Sequence, residues 1–315
     1  MLLLAFPAVA QDAASADDQA PVFRTGTAWV RVDVQAGERG RVLGKLQRED
    51  FVIYDEDRPQ KILYFGRETE PLDVLLLLDV SGSMGRYLEQ MAANARDALK
   101  QLLEGDRVAV MEFSRRSRVE EEFTADRTRV MAELRNAVHE EGLGSGTRIN
   151  AAVLSAAGYI REATTQAEAA KAGPRPGRRA VLIVTDNNSM DYHMPDEKAI
   201  AALLEADTVL NAIVVGRGEP VKLPKPGQYL NPDFTRSDVF HIAEETGGEA
   251  VKANRADASF RDMIESIRTR YSIQYAAPEA ATAGSFRHIR VELAPDARRR
   301  YPNAWIRART GYVVK

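Results

Sequence analysis

Four apolar runs dominate the middle of the sequence: residues 74–78, 108–113, 180–184 and 209–215. Between them lie segments whose apolar residues recur at helical spacing. The segment near 84–103 puts Leu88, Met91, Ala95, Leu99 and Leu102 on one face, and further helical patterns fall near 126–137, 149–163 and 196–206. A last one near 257–270 carries Phe260, Ile264 and Ile267. A continuous apolar run is a strand buried on both faces, and amphipathic helices between such runs cover those faces. The pattern over 71–270 therefore predicts an α/β fold: a doubly wound, mostly parallel sheet with helices on both sides.

The flanks read differently. In residues 23–70, Val30, Val32 and Val34 alternate with Trp29, Arg31 and Asp33. Residues 51–54 and 62–65 flank the turn-rich Asp55-Glu56-Asp57-Arg58-Pro59, which predicts a hairpin between them. Residues 271–315 return to strands, with Tyr271, Ile273 and Tyr275 alternating, then Ile289, Val291 and Leu293, then 305–309 and 311–314. Each flank is small for a core of its own. The expectation is that they pair into one β-rich module, with Trp29 and Trp305 in its core. Residues 218–232 are rich in proline and glycine and read as a surface loop.

Residues 2–9 form an apolar run and Ala8-Val9-Ala10 fits the small-x-small pattern of signal cleavage, so residues 1–10 read as a signal peptide, although no Lys or Arg precedes the run. Residues 11–22 read as a polar linker. The chain is thus expected to be exported, to a periplasmic or extracellular location. No run reaches the roughly 20 apolar residues of a transmembrane helix.

Composition removes several chemistries. There is no cysteine, so disulfides, thiolate-bound zinc, iron–sulfur clusters and thiol nucleophiles are excluded. The histidines, His139, His193, His241 and His288, form no tight ligand pair. A net charge of −3 argues against nucleic-acid binding by bulk charge.

What remains is oxygen chemistry. The first apolar run leads into Asp79-Val80-Ser81-Gly82-Ser83, one carboxylate and two hydroxyls at alternate positions on a turn before a helix. Gly144-Ser145-Gly146-Thr147 offers a hydroxyl on a glycine-rich loop, and the third run ends in Thr185-Asp186. In an open α/β sheet, sites gather at the carboxyl ends of strands, so Asp79, Ser81, Ser83, Thr147 and Asp186 can converge. Hard oxygen donors suit Mg²⁺, or Mn²⁺ or Ca²⁺.

This constellation resembles the metal-ion-dependent adhesion site of von Willebrand factor A domains, over about 200 of the 315 residues. The family often has glycine after the last aspartate; Asn187 stands here, a residue that tolerates the left-handed conformation. In the flanks, Val30-Arg31-Val32-Asp33-Val34, Asp50-Phe51, Gln60-Lys61-Ile62, Thr246-Gly247-Gly248, Tyr271-Ser272-Ile273-Gln274-Tyr275, Phe286-Arg287 and Arg309-Thr310-Gly311-Tyr312 resemble bacterial exported "VWFA-related" proteins. The resemblance implies that Ser81, Ser83 and Thr147 ligate the ion directly, with Asp79 and Asp186 acting mostly through water. It implies an open coordination position for an Asp or Glu of a partner protein, a non-enzymatic adhesion or scaffold role, and coupling of ligation to a shift of the last helix, near 257–270.

Other readings compete. In one, Ser81 and Ser83 merely cap a helix. In another, Ser83, Asp186 and His241 follow the chain order of a serine hydrolase, although Ser81 sits where that elbow needs glycine and His241 lies in a helical pattern. An aspartyl phosphatase is excluded because Ser81 replaces its second acid. A metal-independent envelope component is a third class. Arg298-Arg299-Arg300 reads as a solvated turn, Glu120, Glu121 and Glu122 as charge on an edge strand, and Asp191 as an exposed acid near the site loop.

Overall fold

The computed structural model describes residues 29–314, apart from 68–69, 140–142, 170–176, 190, 223–230, 232 and 280. The expected signal and linker segments lie outside the described residues, as does most of the 218–232 loop.

The N-terminal flank supplies β1 (Trp29–Glu38), β2 (Arg41–Val42), β3 (Phe51–Asp55), β4 (Arg58–Gln60) and β5 (Tyr64–Gly66). The middle runs through β6 (Leu72–Asp79), α1 (Gly85–Leu99), β7 (Arg107–Phe113), β8 (Ser117–Thr124), α2 (Arg127–Asn136), α3 (Ile149–Ala169) and β9 (Arg178–Thr185). It continues through β10 (Asp191–Tyr192), α4 (Asp196–Glu205), β11 (Val209–Val215), β12 (Phe234–Thr235), α5 (Val239–Thr246), β13 (Ala250–Ala253) and α6 (Ala256–Arg268). The C-terminal flank adds β14 (Tyr271–Ala276), β15 (Phe286–Leu293), α7 (Pro295–Arg300), β16 (Trp305–Arg307) and β17 (Gly311–Val313).

The middle folds around a sheet of order β13-β11-β9-β6-β7-β8, parallel except for the antiparallel edge strand β8. Strand alternation sorts the leucines of β6 between two cores. Leu76 and Leu78 pack with Met91, Leu99, Phe260 and Ile264 of α1 and α6. Leu75 and Leu77 pack with Val153, Ile160, Leu203 and Ile242 of α3, α4 and α5. This is the doubly wound arrangement, and each such fully buried side chain contributes about 1.5–3 kcal/mol. The chain leaves β6 for β7 on one side and later returns to β9 on the other. That reversal opens a crevice at the carboxyl ends of β6 and β9.

The flanks interleave. One sheet runs β16-β1-β14-β5, with β2 also on β1, and the other runs β17-β15-β3-β4. Val32 pairs with Ile273 and Ile53 with Val291, so each sheet joins strands from opposite ends of the chain. Their inner faces share one core containing Val32, Ile53, Tyr271, Ile273, Tyr275 and Leu293. Inside it, the fully buried Asp55 accepts from Tyr275 Oη and Tyr312 Oη at 2.9 Å each and from Arg287 Nε at 2.7 Å.

Two expectations about this module fail. The hairpin partner of β3 is β4, not residues 62–65: Glu56 and Asp57 adopt φ of 47° and 62°, a two-residue left-handed turn that sets Asp55 opposite Arg58. The chain then crosses to the other sheet, where β5 pairs with β14. The tryptophans are also not central. Trp29, the first residue of β1, faces outward and is 38 % exposed. Trp305 is half-buried and lies over Gly37, where any Cβ would collide with its ring.

The module meets the α/β domain at the amino ends of the parallel strands, through buried arginines. Arg178 donates to the carbonyls of Arg270 (2.7 Å), Arg268 (3.2 Å) and Ile267, at the end of α6. Arg268 donates to the Glu70 carbonyl at 2.9 Å, and Arg270 to Asn211 Oδ1 at 3.0 Å. The helix-end carbonyls lack intrahelical partners, so the guanidinium groups replace water there. The carboxyl ends of the strands face away from this junction.

Candidate metal centre

β6 ends at Asp79, which is fully buried because β7 and β9 flank it on both sides. Its Oδ1 accepts from Ser81 N at 3.0 Å, the turn that swings the chain toward α1. Its Oδ2 accepts from Thr185 Oγ1 at 2.7 Å, across the neighbouring strand. Burial pushes the Asp79 carboxyl up to about 6; the hydrogen bonds from Ser81 and Thr185 oppose this, and the negative charge of Asp186 adds to it.

The two serines face the same spot. Their hydroxyl oxygens lie 3.4 Å apart, and Ser83 Oγ donates to Asp186 Oδ2 at 2.8 Å. Neither caps α1: the helix has Met84 at its N-cap position and no side-chain cap bond. Asp186 Oδ1 accepts from Asn188 N at 3.1 Å, and Asn187 takes φ of 52°, the left-handed turn its residue type permits. Asp79, Ser81, Ser83 and Asp186 are thus linked in one polar cluster. Thr147, half-buried on the loop before α3, is tied in through its backbone, whose carbonyl accepts from Ser189 Oγ at 3.0 Å.

The residue that organises this second loop is Asp191, and it is fully buried rather than exposed. Its Oδ2 accepts from Ser237 Oγ (2.8 Å), Ser189 Oγ (3.0 Å) and Asn150 N (3.2 Å), while Arg148 Nε lies 3.6 Å from Oδ1. Ser189 also accepts from Ile149 N at 3.0 Å, so one serine grips the backbone on either side of Arg148. Nothing local in the sequence marks Asp191 as buried; beside Ser189, two residues away, its donors Asn150 and Ser237 come from two distant segments. Nearby, burial raises the Asp196 carboxyl although Asn150 Nδ2 donates to it at 2.7 Å.

The hydrolase triad does not assemble. Ser83 donates straight to Asp186, where a triad interposes histidine, and His241 is exposed on α5 and bonds to neither.

The donor set fits a hard divalent cation. Two carboxylates and three hydroxyl-bearing residues come from three loops, and neither Asp79 nor Asp186 makes an ion pair among the described residues. Among the described residues no cluster of three His, Cys, Asp or Glu side chains has the form of a metal site; hydroxyls supply most of the donors here. A groove of about 810 Å³ opens beside Ser83 and Asp186. Among the described residues no helix is long and apolar enough to cross a membrane.

No curated protein matches the sequence at a significant level. Among solved structures, the chain is similar to an aerotolerance-related membrane protein from Bacteroides fragilis, with 16% identity, TM-score 0.44, and coverage of 62% of this chain and 98% of that one. It is similar to a von Willebrand factor type A protein from Catenulispora acidiphila, with 13% identity, TM-score 0.43, and coverage of 93% and 76%. It is also similar to proximal thread matrix protein 1 of the mussel byssus, described with a zinc-occupied MIDAS motif, with 14% identity, TM-score 0.42, and coverage of 68% and 49%. Residues 74–188, which run from β6 past Asp186, match the family model of the von Willebrand factor type A domain. That match, over the segment that carries β6, the crevice and Asp186, makes residues 74–188 similar to a von Willebrand factor type A domain.

Proposed function

We propose that Asp79, Ser81, Ser83, Thr147 and Asp186 hold a divalent cation, Mg²⁺ in the first instance, with Mn²⁺ or Ca²⁺ as alternatives. The protein presents this ion to an Asp or Glu carboxylate of a partner protein, as a non-enzymatic adhesion or scaffold module. The observation that carries the reading is the pair Asp79 and Asp186. Two carboxylates converge on hydroxyl oxygens, one of them fully buried, with no ion pair to offset their charge among the described residues. A buried carboxylate is costly unless a cation or strong donors compensate it. A doubly charged ion at that spot turns the repulsion into ligation. Hydroxyl ligands are neutral, so the ion keeps much of its charge and favours an anionic oxygen at an open position.

The same reading places the protein outside the cytoplasm, with residues 1–10 as its export signal, and gives nucleic acid no part in its binding. The module built from the flanks is the support that carries the domain, since it docks at the end away from the site.

Calorimetric titration tests the metal. Mg²⁺ or Mn²⁺ is expected to bind the wild type and not Asp79→Ala; equal binding to both, or none to the wild type, removes the reading. A pull-down from envelope extract with and without chelator tests the partner. Chelator-insensitive capture favours the metal-independent structural class instead.

A further inference from the structure

The groove beside the site has a charge that the metal reading does not use. Besides Ser83 and Asp186 it is lined by Arg86, Arg217, Lys222 and Arg236. The chain as a whole is slightly acidic, with a net charge of −3, so this basic wall is local. Its lining acid on the 216–222 loop, Glu219, is already engaged by Lys252 at 3.2 Å and approached by Lys222 at 4.0 Å. Arg217 and Arg236 are exposed and make no ion pair among the described residues.

The wall is held in place. Gly216 adopts φ of 66°, and Gly218 lies so close to the Asp186 carbonyl that a Cβ there would collide with it. Asn187 Nδ2 donates to the Glu219 carbonyl at 2.9 Å, and Val221 N donates to Asp238 Oδ2 at 2.8 Å. The loop bearing Arg217 is therefore fixed against the loop bearing Asp186. The Arg86 guanidinium lies 4.5 Å from the centre of the buried Tyr87 ring and donates to its hydroxyl, which sits beside Gly216. That contact restrains the Arg86 side chain where it lines the groove.

From this we infer that the groove receives an acidic peptide segment. One carboxylate of the segment takes the open position on the metal, and flanking Asp or Glu side chains pair with Arg217, Arg236 and Arg86. The inference rests on the metal reading above and adds the partner's chemistry to it. A peptide is favoured over a compact anion because the cations are spread over several lining residues of a groove of about 810 Å³. The exposed Asn188 side chain also offers an amide group to a main chain. Cations on a fixed wall raise association rate and select partners by charge.

The test uses the full chain at saturating Mg²⁺ and three labelled peptides. One alternates glutamate with serine, one has a single glutamate among serine and glycine, and one replaces the glutamates of the first with phosphoserine. Arg217→Glu/Arg236→Glu is expected to bind Mg²⁺ still, and to lose about ten-fold or more in affinity for the alternating peptide. The single-glutamate peptide changes little, and Arg217→Gln/Arg236→Gln falls between. Equal affinity of wild type and charge-reversed variant for the alternating peptide overturns the proposal, as does failure of the wild type to bind it. Tighter, arginine-dependent binding of the phosphoserine peptide also overturns it, in favour of a phosphate ligand. Absence of Mg²⁺ binding with retained, arginine-dependent binding of the alternating peptide in chelator overturns the metal reading and supports the basic groove.

Discussion

Ser83 donates its hydroxyl to Asp186 Oδ2 across 2.8 Å, joining two loops 103 residues apart in sequence. The bond links the carboxyl ends of β6 and β9 and brings together two of the oxygens proposed to hold the cation. In the bound state the hydroxyl is expected to turn its lone pairs to the ion.

Metal should therefore stabilise the fold through these residues. At Mg²⁺ one hundred times its Kd, the wild type is expected to gain about 2.7 kcal/mol. Asp79→Ala and Asp186→Ala lose that gain. Scanning calorimetry with and without EDTA reads it directly, and an unchanged melting temperature on adding Mg²⁺ to the wild type counts against the site.

Asp191 is expected to set metal affinity without touching the ion. Asp191→Asn keeps the shape but weakens the grip on Ser189 and Ser237, and hence on the loop carrying Thr147. Outer groups that orient metal ligands typically change affinity by about 10- to 100-fold. Mg²⁺ titration checks this. A variant that melts earlier in EDTA yet binds Mg²⁺ with wild-type affinity assigns Asp191 to stability alone.

In the β module, Asp55→Ala strands three donors from the C-terminal flank: Tyr275, Tyr312 and Arg287. Removing one partner of such a buried charged set costs about 3–5 kcal/mol. Urea unfolding should show the loss, and Mg²⁺ titration of the still-folded fraction should be unaltered, because the module lies at the far end from the site.

The same cluster makes the fold alkali-sensitive. Burial, then the Asp55 carboxylate, pushes the Tyr312 hydroxyl up to about 12, and the same causes raise Tyr275 further. The folded state thus keeps protons that the unfolded chain gives up above pH 10. Their contribution is whole below about pH 10 and is lost as pH rises toward 12. Tyr312→Phe should flatten that alkaline slope while costing about 1 kcal/mol at neutral pH, the worth of one hydrogen bond. An unchanged slope in pH-dependent unfolding speaks against the assignment.

The sheet and its site were legible because their signals are local. A run such as 74–78 is apolar at every position only if both faces are covered, and the acid and hydroxyls that follow it must then fall at the strand's carboxyl end. Asn187 reads the same way, since its tolerance of positive φ belongs to the residue itself, and φ of 52° is what the turn uses. Burial of polar groups was not legible. Asp191 looks like any loop acid until Ser237 and Asn150 arrive from elsewhere and, with the neighbouring Ser189, solvate it.

The sequence by itself determined the alternation of strands and helices in the middle of the chain, the two-sided burial of the central runs and which oxygens stand at the end of β6. These depend on periodicity and intrinsic backbone preference, which act over a few residues. Only the tertiary structure decided that β3 turns back onto β4 while β5 crosses to β14, that Arg178 is buried against the end of α6, and that Arg217 faces the groove beside Asp186. Whether a charge is buried or a strand finds its neighbour depends on partners far along the chain, and those partners exist only once the fold has brought them together.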